Sequence, residues 1–129
     1  MLDAYGAFWD DYIEVARTSD YRSPRLAEHA TGDALRRLRY QLSLYDAQGL
    51  VARGRPVRTA TQVTSISVQS ATVAECLDSN KWLAHDAKTG KLRDKPSGKI
   101  RRVRATLSHV GEGWKVSKLD IGNDQCAAA

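Results

Sequence analysis

The chain has 129 residues, enough for one domain over 1–129, and its 42% apolar content is ordinary for a protein with a single buried core. No apolar run approaches the roughly 20 residues of a membrane-spanning helix. The only cysteines, Cys76 and Cys126, match no zinc spacing and form no C-x-x-C redox pair.

The first predicted element is a helix over residues 3–18. Tyr5, Phe8, Trp9, Tyr12 and Ala16 recur at helical spacing, and Asp3, Asp10, Asp11 and Glu14 fall largely elsewhere around the axis. A stripe this aromatic has to cover a substantial surface. Ser23 and Pro24 start a second, short helix from 24 to about 30. The hydroxyl caps it, and the proline lacks an N–H that the first turn would leave unpaired anyway. Thr31-Gly32-Asp33 breaks that helix. A third runs over 33–47 with Leu35, Leu38, Leu42 and Tyr45 on one face, and Gly49 stops it. The helical part spans about 3–48.

After Gly49 the pattern changes. Residues 50–53 and 57–68 are rich in Val, Thr and Ile, interrupted by Gly54 and Pro56. The run 57–68 reads as a long strand with one wet face. Residues 71–86 contain a second strand, bulged near 78–81. KTGKLRDKPSG is a loop. Residues 99–110 form a third long strand, with Val103, Ala105 and Leu107 facing in and Arg102 and Arg104 facing out. GEG is a hairpin turn. In the last strand, WKVSKLDI, the alternation places Trp114, Val116 and Lys118 on one face and Lys115 and Leu119 on the other. The sheet part spans about 50–122 and a polar tail covers 123–129. Three helices followed by four to five antiparallel strands make an α+β protein. The aromatic helix would lie in the concavity of a strongly curved sheet. By spacing alone, two readings of the cysteines stand. They are unrelated buried thiols, or a disulfide that ties a strand to a chain end prone to fray.

This order, with AYGAFWDDYIEVARTSD, LAEHATGDAL, GLVARGRPV, VAECLDSNKW, the PSGK and RATL segments, and GWKV with a final cysteine, resembles the NTF2-like (SnoaL-like) superfamily. More narrowly it is similar to secreted proteins and lipoproteins of actinobacteria, largely of unknown function. The resemblance covers nearly the whole chain, and its order of segments carries it. It implies a cone-shaped α+β domain with helices on a curved sheet. It also implies a Cys76–Cys126 disulfide, and hence an extracytoplasmic protein, secreted or anchored through a segment outside this chain. The cone admits a small apolar ligand, and the sheet admits a homodimer.

Relatives of this fold that isomerise or dehydrate small molecules use an acid or histidine in the cone, often with a tyrosine donor. The candidates here are Tyr12, Asp20, Tyr21 and His109, with Asp120 on the last strand. None sits in a motif, and each has a plainer structural reading. His29, His85 and His109 share no ligand spacing, so neither a metal nor a cofactor is expected. The net charge of +5 is unevenly spread. Residues 1–33 hold seven acids and three bases, and the remainder holds seventeen bases and eight acids. The strongest surface signal is the basic stretch Lys88, Lys91, Arg93, Lys95, Lys99, Arg101, Arg102 and Arg104. It lacks the interleaved aromatics of nucleic-acid binders, so sequence-specific nucleic acid is not expected. An anionic cell-envelope component or a protein partner fits better, beside the plain reading of an edge kept charged against aggregation. The expectation is a non-catalytic binding or scaffold domain at the bacterial cell envelope. Two alternatives stand beside it: a component of a membrane-spanning conjugation or secretion assembly, and a small-molecule isomerase or dehydratase.

Overall fold

The computed structural model describes residues 1–126. It is an α+β protein with two α-helices, α1 (Leu2–Ala16) and α2 (Gly32–Ala47), followed by six strands. These are β1 (Leu50–Gly54), β2 (Val57–Ile66), β3 (Ser70–Asp78), β4 (Trp82–Asp86), β5 (Ile100–Val110) and β6 (Gly113–Gln125). All pairings within the two sheets are antiparallel. β2-β3-β5-β6 form a four-stranded sheet, and β1-β4 form a separate two-stranded one.

The expected second helix is a single 3-10 turn, Pro24–Ala27. Its cap is as read: Arg25 N–H donates to Ser23 Oγ at 3.3 Å. It stops early because the next residues pair elsewhere. Val116 N–H donates to His29 C=O at 2.8 Å, and Thr31 N–H donates to Val116 C=O at 2.9 Å. Two bonds to the edge of β6 replace a further helical turn and cover part of that edge.

The expected strand over 71–86 is two strands in two sheets. Asp78 Oδ1 accepts the Asn80 N–H at 3.0 Å, an Asx turn that takes the chain out of the large sheet before β4. β4 then returns against β1. In β6, strict alternation fails. A register shift falls between the pairs Thr106/Lys118 and Leu107/Val116, so Val116 and Leu119 are both buried. Lys118, expected beside Val116, is instead exposed. β6 also runs to Gln125, past the expected end at 122. The rest of the expected tail, 127–129, lies outside the described residues.

The core joins Tyr5, Phe8, Trp9 and Ile13 of α1 to Ala34, Leu38 and Leu42 of α2. Beneath them lie Val73, Leu77, Val103, Ala105, Leu107, Val116 and Leu119 from the inner face of the large sheet. Alternate residues of β3 and β5 give the sheet its other, uncovered face. Asp11, expected away from the core stripe, is 6% exposed. It is held by Arg25 Nε at 2.9 Å and His29 Nδ1 at 2.7 Å, which fasten α1 to the 3-10 turn.

Candidate functional site

Two neighbouring cavities lie along the α1–α2 seam. The larger, about 230 Å3, is walled by Tyr12, Ala34, Leu38, Leu119 and Ile121, with Arg37 and Gln41 as its polar groups. The smaller, about 60 Å3, shares Tyr12 and Gln41 and adds Leu42, Tyr45, Ala52 and Trp82 among its walls. Tyr12 and Trp82 meet edge to face at 5.0 Å, and Trp9 closes the cluster behind them at 5.9 and 6.2 Å. Burial, then the neighbouring Tyr45, pushes the Tyr12 phenol well above its ordinary range, so it stays protonated. Arg37 donates to the Leu119 carbonyl at 3.1 Å and faces Asp120 at 3.6 Å. The Nε1 of Trp82 is buried with no acceptor among the described residues. No carboxylate and no imidazole lines either cavity.

The inward-facing acids are locked elsewhere. Glu75 of β3, 2% exposed, accepts a hydrogen bond from the Tyr5 hydroxyl. Its other oxygen accepts Arg58 Nη1 at 3.0 Å and Thr61 Oγ1 at 2.8 Å. The Arg58 guanidinium also lies over the rings of Tyr5 and Trp9, at 5.3 and 5.9 Å. Burial and the bond to Glu75 hold the Tyr5 phenol well above its usual range. This acid–tyrosine pair was missed in the sequence, although its signal is there. Ala71, Val73 and Leu77 mark the inner face of β3, and Glu75 shares their parity. Asp11, Glu28 and His29 bring donor atoms within 4.8 Å of one another. Both Asp11 oxygens are already taken, one by a guanidinium, so the cluster reads as an ion-pair lock.

Of the sequence candidates, only Tyr12 lines the seam cavities. Asp20 and Tyr21 border a surface depression with Ser19, Arg22 and Asp46. There Asp20 accepts the Arg22 N–H, and the Tyr21 carbonyl accepts Arg39. His109 is exposed near the β5–β6 turn, edge-on to Trp114 at 5.1 Å. Asp120 is exposed on β6 and lies 3.9 Å from Lys118.

The basic stretch divides between a loop and a strand. Lys88, Lys91, Arg93 and Lys95 lie in the loop between β4 and β5, and Lys99 ends it. Arg93 pairs with Asp86 at 3.2 Å, and the backbone N–H groups of Thr89 and Lys88 hold the Asp86 carboxyl below its usual range. Arg101 has the inward parity of Val103, while Arg102 and Arg104 lie on the uncovered face. Cys76 and Cys126 are disulfide-bonded, with Cα atoms 5.8 Å apart.

No family model and no curated protein matches the sequence. The fold is similar to that of the intermembrane-space region of the chloroplast protein ARC6, with TM-score 0.55 and 14% identity over 88% of this chain and 90% of that one. A second solved structure is an NTF2-like protein with a cystatin-like fold from Novosphingobium aromaticivorans. It has TM-score 0.49 and 14% identity over 93% of this chain and 81% of that one.

Proposed function

We propose that this chain is a non-catalytic binding domain of NTF2-like type, working outside the cytoplasm at the bacterial cell envelope. The observation that carries this reading is the chemistry of the interior. The space left between helices and sheet is small, largely apolar and free of acids and imidazoles, and the two inward carboxylates are already held, Glu75 by Tyr5, Arg58 and Thr61 and Asp11 by Arg25 and His29. Such a seam suits a small apolar guest held by contact, with Arg37 and Gln41 at its polar side. An isomerase or dehydratase needs a tuned base facing the substrate. Glu75 beside Tyr5 has the right residue types, but neither lines the seam cavities. The Cys76–Cys126 bond supports the compartment, because oxidised pairs persist mainly outside the cytoplasm.

The test is intact mass, with and without reductant, on protein recovered from its native compartment, followed by peptide mapping. A mass short by two hydrogens and a linked Cys76–Cys126 peptide are expected. Two free thiols in that material would remove the support for an extracytoplasmic domain.

A further inference from the structure

The uncovered face of the large sheet carries a groove of about 300 Å3 that crosses all four strands. Its floor is short and hydroxyl-bearing: Thr64 from β2, Thr72 and Ala74 from β3, Thr106 from β5. Its far wall is Arg104 of β5 with Lys118 and Asp120 of β6. A second hollow of about 70 Å3 continues it to Arg102, sharing Arg104 and Asp120. The pairing register explains the layout. Thr72, Thr106 and Lys118 form one row across the strands, and Ala74, Arg104 and Asp120 form the next. Lys118 belongs to this face only because of the register shift in β6.

We propose that this groove docks an extended acidic segment of a partner protein. The inference rests on the binding-domain reading and names its partner. Arg104 pairs with no carboxylate among the described side chains, whereas Asp120 is shared between Arg37 at 3.6 Å and Lys118 at 3.9 Å. Arg102 and Arg104, two apart on one strand, stand roughly 6.7 Å from each other along β5. Arg104 and Lys118, diagonal across neighbouring strands, are about 7–8 Å apart. Alternate carboxylates on one face of an extended peptide repeat at roughly that distance, about 6.7 Å. Each guanidinium presents a planar fork that matches a carboxylate. The remaining groups select a peptide over a phosphate polymer. The Thr64 and Thr72 hydroxyls already bond each other at 2.6 Å, so they offer a guest mainly lone pairs, and Asp120 only accepts. A peptide backbone supplies N–H donors for them. A phosphodiester or polyphosphate chain supplies none.

The experiment is fluorescence anisotropy on the full oxidised chain, with a labelled peptide of alternating Glu and Thr as probe. Controls are the same peptide with Gln for Glu, and inorganic polyphosphate as competitor. The Glu peptide is expected to bind and the Gln peptide not. Arg104→Gln is expected to weaken binding roughly tenfold. Ala74→Glu, which plants an acid opposite Arg104 in the register, is expected to do the same while leaving the fold intact. Lys88→Gln with Lys91→Gln and Lys95→Gln is expected to change affinity little, since these lie in the loop. Absent binding, or equal losses in the loop variant and the groove variants, would overturn the proposal. So would tighter binding of polyphosphate at the same residues. None of these results touches the disulfide, so the compartment reading would stand or fall separately.

Discussion

Glu75 shows how one residue can close an interior. It sits on the core face of β3 between Val73 and Leu77, where a lone carboxylate would be costly. Three donors from two elements converge on it: Tyr5 from α1, and Arg58 and Thr61 from β2. The site thereby ties the first helix to the sheet. Replacing Glu75 with Ala strands the Tyr5 hydroxyl and leaves the Arg58 guanidinium, 27% exposed, without its partner. The expected loss is about 2–4 kcal/mol, toward the lower part of the range for a broken buried pair because Arg58 still reaches water. Tyr5→Phe removes only one donor and is expected to cost about 1 kcal/mol. The double variant should cost less than the two losses added, because both act on the same carboxylate. Urea unfolding of the four proteins checks this, and strict additivity would mean that Tyr5 and Glu75 are not coupled. Parity alone, had it been followed through VAECLD, places Glu75 inside. The partner Arg58 was beyond reach, because its pairing depends on how β2 registers with β3.

Among the elements, those set by local chemistry were legible and those set by partners were not. The aromatic stripe gave α1, the Leu38 and Leu42 spacing gave α2, and Gly49, with φ +70°, ends that helix where expected. Alternation gave β5 with Val103, Ala105 and Leu107 inward. What failed were the places where tertiary pairing overrides a local pattern. The 3-10 turn is cut short by the edge of β6, a turn at Asp78–Asn80 splits one expected strand, and the shift in β6 carries Lys118 to the other face. The two-stranded sheet shows the same dependence at Gly54. This residue, with φ +91°, pairs with Trp82 at the end of β1, and a Cβ there would sit 1.9 Å from the Lys81 carbonyl oxygen. Backbone cannot yield as a side-chain tip does. Gly54→Ala is therefore expected to destabilise by about 2–3 kcal/mol, from backbone strain together with steric displacement. Faster amide exchange should concentrate in β1 and β4. An unchanged unfolding midpoint would show that the approach to Lys81 relaxes freely.

At the scale of the whole molecule, the uneven charge is partly folded onto itself, and the chain's end is fixed by a covalent bond. Asp10 of the first helix takes Arg55 at 2.9 Å, while Asp11 takes Arg25 from within the acidic segment itself. Lys88, Lys91, Lys95 and Lys99 of the β4–β5 loop and Arg102 and Arg104 of the uncovered sheet face carry part of the positive remainder. The disulfide spans 50 positions, so the loop it closes contains β4, β5 and β6. In the chain-entropy account a loop of that length stabilises by about 4 kcal/mol, a large share of the roughly 5–15 kcal/mol typical of a domain. Most of that effect acts on the unfolded chain, and the backbone bonds around Cys126 are not made by its sulfur. Its N–H donates to the Ile100 carbonyl at 2.7 Å, and Gln125 pairs with Arg101. Reduced protein is thus expected to remain folded, with a lower urea midpoint and a steeper slope, because the uncrosslinked unfolded chain exposes more surface. Amide exchange should quicken first at residues 124–126 and at the facing end of β5. A lower midpoint with an unchanged slope would assign the stabilisation to the native state instead, making the bond a clamp on the β6 end. Loss of folding on reduction would mean that the β5–β6 pairing cannot hold the chain end without it.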